Sequence, residues 1–235
     1  MVPELAMSPG ASRLSDECLA VLTNLHTSIS IFQNYRQFER NRVRLSGSIQ
    51  DMHQHIPALF DAYNIDRSLE ETDTTTLMAQ FMEDLVDIIQ SGIQSLDSIV
   101  ESLSPHFQTV CQCVSDPRNS DVKYHSTRLL TLVLHLAPST GPGIIDSGYS
   151  FHFVRAIDES SEYGLVQLLN YFRLIFEQVG YYQTNIYEAI LTGFNNNGII
   201  DILEAQTTTS SLKVRRLSTS AHNKFAQSNI SDDLS

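Results

Sequence analysis

The feature that most limits what this chain can fold into is a recurring break between apolar segments of two lengths. In "IIDSGYSFHFVRAID" a glycine, Gly148, is followed by Ser150, Phe153, Val154 and Ile157, and after a polar break comes the longer "YGLVQLLNYFRLIFEQVG". Gly198 is followed by Ile200 and Leu203 in the same places, ahead of "TTTSSLKVRRLSTSAHNKF". Further back, "PHFQTVCQCVSD" offers Phe107, Val110, Cys111 and Val114, then the break "DPRNSD", then "VKYHSTRLLTLVLHLA". Shifting this unit by 43 residues puts Val122 on Leu165, Leu129 on Phe172, Val133 on Phe176 and Leu136 on Val179. Apolar residues at steps of three and four mark amphipathic helices, and self-similarity at a fixed period marks a repeat architecture.

The pattern extends toward the N-terminus. "HIPALF" (55–60) and "TTTLMAQFMEDLVDIIQSG" (74–92) fit an earlier copy, with Met78, Phe81, Met82, Leu85, Ile88 and Ile89 on one side, and "SDECLAVLTNL" (15–25) fits the long helix of a still earlier one. About four and a half units at a period near 43–50 residues lie within or slightly above the roughly 40–47 of HEAT and armadillo repeats. The expected fold is all-α, an armadillo/HEAT-type right-handed α-solenoid of stacked helical repeats over residues 15–225. Residues 1–14 are expected to be a flexible lead-in and residues 226–235 an acidic, disordered tail. The competing expectation is an ordinary helical bundle.

Helix ends fit this division. Asp121 is placed to cap the helix that starts near Val122, and Asp116-Pro117 closes the one before. Gly92 and Gly180 follow long helices as stops, and Gly148 and Gly198 sit where short helices meet at a sharp angle. Residues 95–103 and 184–194 read as small first helices, "GPG" at 141–143 as a connecting turn, and "LEETDTTT" (69–76) as a surface loop with a helix cap at its threonines.

With 27 acidic residues against 15 lysines and arginines, the formal charge is −12, which disfavours nucleic acid and favours basic partners. The three cysteines, Cys18, Cys111 and Cys113, make an odd count without a zinc spacing and read as buried free thiols in a reducing compartment. No apolar run approaches the ~18 residues of a membrane span, and no signal-peptide order opens the chain, so a soluble, intracellular protein is expected. No phosphate loop, nucleophile elbow or metal-binding helix motif stands out; His53 and His55 are two apart and face different sides of a helix. The expectation is no enzyme, no metal and no cofactor.

"EYGLVQLLNYFRLIFEQVG", the intervening helix, "NNNGIIDILEAQTTTSSLKVRRLSTSAHNKF" and the end "SDDLS" resemble the last armadillo repeats and tail of the importin α family, which carries nuclear-localisation signals. The likeness is best over residues 105–235. It implies an adaptor working in cytoplasm and nucleus, with a concave groove for basic signal-peptide cargo and a C-terminal contact with a nuclear export receptor. In that groove tryptophan and asparagine four apart clamp lysine stems and peptide backbone, with acidic residues drawing the lysines in.

This chain has no tryptophan. The asparagine place is kept by Asn24, but Ala20 stands in the tryptophan place; the later pairs read Thr131 with His135 and Asn170 with Leu174. Each missing cation–π contact removes about 0.5–2 kcal/mol, so degenerate cargo pockets are expected, with Asn24 and Asn170 as the groove residues carried over. The basic N-terminal arm of the family has no counterpart here, and the chain starts inside what would be a middle repeat, so the expectation is a fragment or a shortened, divergent relative. A second copy could complete the exposed repeat end as a homodimer.

Lys213, Arg215 and Arg216 decorate the last helix and are expected to answer the acidic tail Asp232-Asp233 or an export receptor. "RRLS" (215–218) fits a basic-directed phosphorylation pattern. Arg36, Arg40, Arg42 and Arg44 in "YRQFERNRVRL" form a further basic stretch, read as a solvated linking helix or an acidic-partner site. The reading from another functional class is an armadillo or HEAT scaffold for protein–protein interaction with no role in transport.

Overall fold

Helices carry almost all of the chain in a computed structural model that describes residues 8–34, 39–92, 96–160, 162–179, 184–208 and 211–232. There is no β-strand among the described residues. In chain order the α-helices are α1 (Asp16–Asn34), α2 (Glu39–His53), α3 (Ile56–Ser68), α4 (Asp73–Ser91), α5 (Leu96–Leu103), α6 (Phe107–Val114), α7 (Ser120–Leu136), α8 (Gly141–Asp146), α9 (Tyr149–Glu159), α10 (Glu162–Val179), α11 (Thr184–Asn196), α12 (Ile199–Thr207) and α13 (Leu212–Asp232). The chain divides into two compact units, residues 1–109 with 117–125, and residues 110–116 with 126–235.

In the first unit the expected apolar face of α4 is buried as a whole: Met78, Phe81, Met82, Leu85, Ile88 and Ile89 are all sequestered. α4 packs on α3 and on α1, and α1 packs on α2. The side chain of Phe60 meets Phe81 edge-on at 6.1 Å and lies parallel to the His106 ring at 4.6 Å. α2 is more than a linker, because Leu45, Ile49 and Met52, one helical turn apart, are fully buried. Arg44 donates from Nε to the Ser28 hydroxyl at 3.2 Å, which ties it to α1; Arg36 and the side chains of Arg40 and Arg42 lie outside the described residues.

Residues 8–14, expected to be a flexible lead-in, pack onto α3 instead. Asp66 is the reason. Its carboxylate is fully buried and accepts from the Ser8 hydroxyl (2.8 Å), the Gly10 amide (2.7 Å) and the Thr74 amide (3.2 Å). The Ser8 amide adds a bond to Asp73 Oδ2 at 2.7 Å. A buried carboxylate needs several donors in place of water, and the lead-in supplies two of them. Gly10 is required there, since a Cβ would stand 2.2 Å from Asp66 Oδ1 and 2.3 Å from the Ala62 carbonyl. The cap of α4 therefore comes from Asp66 rather than from the threonines of 72–76, and the connecting Glu70 takes a positive φ of 60°.

The second unit is centred on an aromatic cluster. Tyr149 and Phe153 of α9, Phe172 of α10 and Phe194 of α11 are all fully buried, with ring centroids 5.1–6.4 Å apart and mostly edge-on, the arrangement aromatic quadrupoles favour. Around it, helices that occupy the same place in successive sequence units lie against each other: α8 on α11, α9 on α12, α10 on α13. Gly148 and Gly198 are each the left-handed residue that opens the middle helix, at φ 87° and 76°. Gly92 ends α4 in the same conformation, at φ 66°, while Gly180 lies outside the described residues.

Several local expectations are corrected. The cap of α7 is Asn119, whose Oδ1 accepts from the amides of Asp121 (2.8 Å) and Val122 (3.4 Å); Asp121 is inside the first turn. "GPG" opens α8 rather than forming a turn, with Pro142 in the first turn where its missing N–H costs nothing. The 43-residue shift pairs buried Val122 with buried Leu165 and buried Leu129 with buried Phe172, but Leu136 is half exposed at the end of α7. The three cysteines are free and buried, as expected.

Candidate functional site

Two surface features carry chemistry, one in each unit. The first is a pocket of about 140 Å³ between α1 and α4, walled by Leu22, Leu77 and Phe81 and closed on its polar side by His26, Gln80 and Asp84. The helical spacing decides the grouping: Leu77, Phe81 and Asp84 lie three or four apart on α4, as do Leu22 and His26 on α1. Phe81 and Leu22 are core residues that show only an edge, so the wall is rigid.

Asp84 is almost wholly enclosed, its side chain 4 % exposed, whereas the His26 side chain is 51 % exposed. Burial pushes the Asp84 carboxyl up from its usual 3.8 to about 6, against the opposing pull of the His26 ring and of Gln80, with Glu83 adding a smaller upward push. His26 Nδ1 lies 3.0 Å from Asp84 Oδ1, and Gln80 Nε2 donates to the same oxygen at 3.3 Å and to Glu83 Oε2 at 3.2 Å. When Asp84 is ionised it holds the proton on Nδ1, so Nε2 is the ring's acceptor. One further bond crosses the same helix pair, from Gln33 Nε2 to Asp87 Oδ2 at 2.6 Å. The pocket is thus an apolar slot whose one lining carboxylate is Asp84, with Glu83 joined to it through Gln80. It contains no nucleophile poised on the dyad: the Thr23 hydroxyl, at its rim, donates to the Leu19 carbonyl.

The second feature is an open basin of about 560 Å³ formed by the end of α12 and the outer face of α13, with Thr207, Leu212, Arg215, Arg216 and Thr219 along it. α13 turns Val214, Ser218 and Ala221 inward and leaves this stripe outside.

The sequence-derived residues fall as follows. Asn24 is exposed on α1 but does not line the α1–α4 pocket; Ala20 is exposed one turn before it. Asn170 is half-buried on α10, in the other unit. Thr131 is buried and donates to the Thr127 carbonyl, so it belongs to the core. Lys213 is exposed, and Arg215 and Arg216 line the basin. The side chain of Asp232, one of the tail residues expected to answer these cations, lies outside the described residues. The helix is continuous from Leu212 to Asp232, and at about 1.5 Å per residue the acidic end stands roughly 24 Å or more away. Residues 226–232 are accordingly helical where a disordered tail was expected, and Asp233 lies outside the described residues. Ser218, the acceptor of "RRLS", is fully buried, so a kinase cannot reach it in the folded protein.

His26, Gln80 and Asp84 were missed because they come from helices more than fifty positions apart in the sequence. A signal existed: an aspartate inside the apolar face of α4, between Phe81 and Ile88, is out of pattern for a surface residue. Among the described residues no cluster of three or more His, Cys, Asp or Glu side chains could hold a metal ion, and no helix is long and apolar enough to cross a membrane.

No protein-family model matches the sequence, and no curated protein matches it.

Proposed function

We propose that the chain is an interaction scaffold built as an armadillo-type right-handed α-solenoid, and that it binds an extended basic segment of another protein along the long helices of its repeats. The observation that carries this reading is the pairing of like with like: α8 on α11, α9 on α12 and α10 on α13, with α9 and α12 each opened by a left-handed glycine. Repeats that bury their apolar faces on their neighbours leave their long helices available to partners. α1 and α4 are the long helices of two successive repeats in the first unit, and the slot between them has apolar walls for an aliphatic stem and the Asp84 carboxylate at its polar end for an ammonium. The net charge of −12 favours the same class of partner.

The nuclear-transport adaptor is the first form of this proposal, with lysine-rich signal peptides as cargo and cytoplasm and nucleus as its setting. The absence of tryptophan favours a second form, a scaffold outside transport, because the aromatic clamps on lysine stems are gone. Fluorescence anisotropy with a lysine-rich signal peptide separates them. Transport predicts roughly micromolar or tighter affinity that weakens steeply with salt and is lost in Asp84→Asn. Absence of binding at low salt removes the cargo role and leaves the scaffold.

A further inference from the structure

The basin on α13 has a character opposite to that of the protein that carries it. Arg215 and Arg216 are adjacent and exposed, and among the described residues neither guanidinium has a carboxylate partner. Among the described residues no acidic side chain lines the basin; the remaining polar lining is hydroxyl and amide, from Thr207, Thr219, Ser220 and Asn223. Leu212 stands at one end with 54 % of its surface exposed, among the most exposed large apolar residues described.

Each property has an ordinary explanation singly, and together they do not. A chain with 27 acidic residues has counter-charges to spend on two arginines, as Arg155 shows by pairing with Glu159 at 2.7 Å one turn along α9. The face is not the wet end of an unsupported helix either, since α13 is anchored along its other side by Val214, Ser218 and Ala221 and packs on both α10 and α12. A rigid stripe therefore presents an apolar residue, two unpaired forks of donors and then small donor groups, over Leu212, Arg215, Arg216 and Thr219, which share one face at helical spacing.

We infer that the α12–α13 basin is a docking surface for an acidic segment of another protein, one that carries aspartates or glutamates next to a leucine-like side chain. The carboxylates lie on the guanidiniums of Arg215 and Arg216, bidentate where geometry allows, and the apolar side chain covers Leu212. The occupant is assigned to another chain by charge complementarity, since the two arginines call for carboxylates and none of the described residues lining the basin supplies one. The overall negative charge does not forbid this: at physiological salt, charges beyond about 8 Å are largely screened, and the local pair decides. This surface is separate in residues and in charge from the α1–α4 slot, so either reading can fail without the other.

The test uses the full chain and a fluorescein-labelled peptide of about ten residues, alternating aspartate and glutamate around one central leucine, followed by anisotropy at low and physiological salt. The expected result is saturable binding that weakens with salt, falls at least about tenfold in R215E/R216E, and falls by a smaller factor in L212S. Far-UV circular dichroism of both variants stays at the wild-type level, as the substituted side chains are exposed. Binding of a lysine-rich peptide is not weakened by R215E/R216E. No binding to the acidic peptide at low salt, or binding that survives R215E/R216E, overturns the proposal. So does full competition by inorganic phosphate at the same charge concentration, since the site would then be a general anion trap that does not read a peptide.

Discussion

The contact between α9 and α11 offers the sharpest test of the repeat packing, because it closes on a residue without a side chain. A Cβ on Gly193 would stand 2.6 Å from the Ser150 hydroxyl oxygen and 3.1 Å from Ser150 Cβ. Carbon atoms in favourable contact sit about 3.5–4.0 Å apart, so Gly193→Ala forces the two helices apart by several tenths of an ångström. Ser150 cannot simply turn aside, being 4 % exposed and followed on the same helix by fully buried Phe153. Overpacking of this kind costs about 1–3 kcal/mol, and the gain in helix propensity from glycine to alanine returns at most about 1 kcal/mol. The net expectation is a loss of about 1–2 kcal/mol, or roughly 2–4 °C in Tm per kcal/mol for a chain of this size.

Ser150→Ala separates sterics from propensity. The Ser150 hydroxyl is buried without a hydrogen-bond partner, so its removal is neutral or mildly stabilising. In G193A/S150A the worst overlap is gone, and the double variant recovers at least about 1 kcal/mol of the loss. Urea unfolding followed by far-UV circular dichroism on the four proteins gives the cycle directly. If Gly193→Ala alone stabilises the protein, or if the two changes add within about 0.5 kcal/mol, the close approach of these helices is not real and the repeat packing built on it fails.

Further outcomes follow from the polar groups. Asp84 is protonated more readily in the folded chain than in the unfolded one, so its contribution to stability is fully present below 3.8 and is lost as pH rises through about 6. Asp84→Asn should remove that slope and raise stability at pH 7 by up to about 3 kcal/mol; urea midpoints that are unchanged between pH 4 and 7 in the wild type would refute it. Asp66→Ala orphans three buried donors and should cost about 3–5 kcal/mol, with proteolytic cleavage appearing first at residues 8–14; a cost below about 1 kcal/mol would show that the lead-in is not held there. Gly198→Ala places a side chain at φ 76° and should cost about 1 kcal/mol in the same unfolding assay, although nothing lies within 4 Å of the new Cβ; an unchanged midpoint would mean the left-handed opening of α12 is not required.

The positions of the helices were legible because burial in a helix writes itself into sequence at every third or fourth residue. The apolar face of α4, the burial of both Val122 and Leu165, and the left-handed glycines at 92, 148 and 198 follow from local rules about periodicity and about which residue tolerates a positive φ. Capping was less legible, since an amide at a helix start donates to any oxygen in reach: the side chain of Asp66 serves α4 from the preceding helix, and Asn119 takes the place expected of Asp121.

What the sequence determined by itself is the number and spacing of amphipathic segments, the excess of negative charge, and the absence of the aromatic residue that would clamp lysine. Only the tertiary structure decided which polar groups meet. It set His26 against Asp84 across two helices, buried Ser218 inside an otherwise plausible phosphorylation motif, and stretched α13 so that Arg215 and Arg216 stand away from the acid end of their own helix. Periodicity fixes the direction in which a side chain points from its own helix. The partner it meets depends on how helices distant in sequence are packed, and no local pattern carries that information.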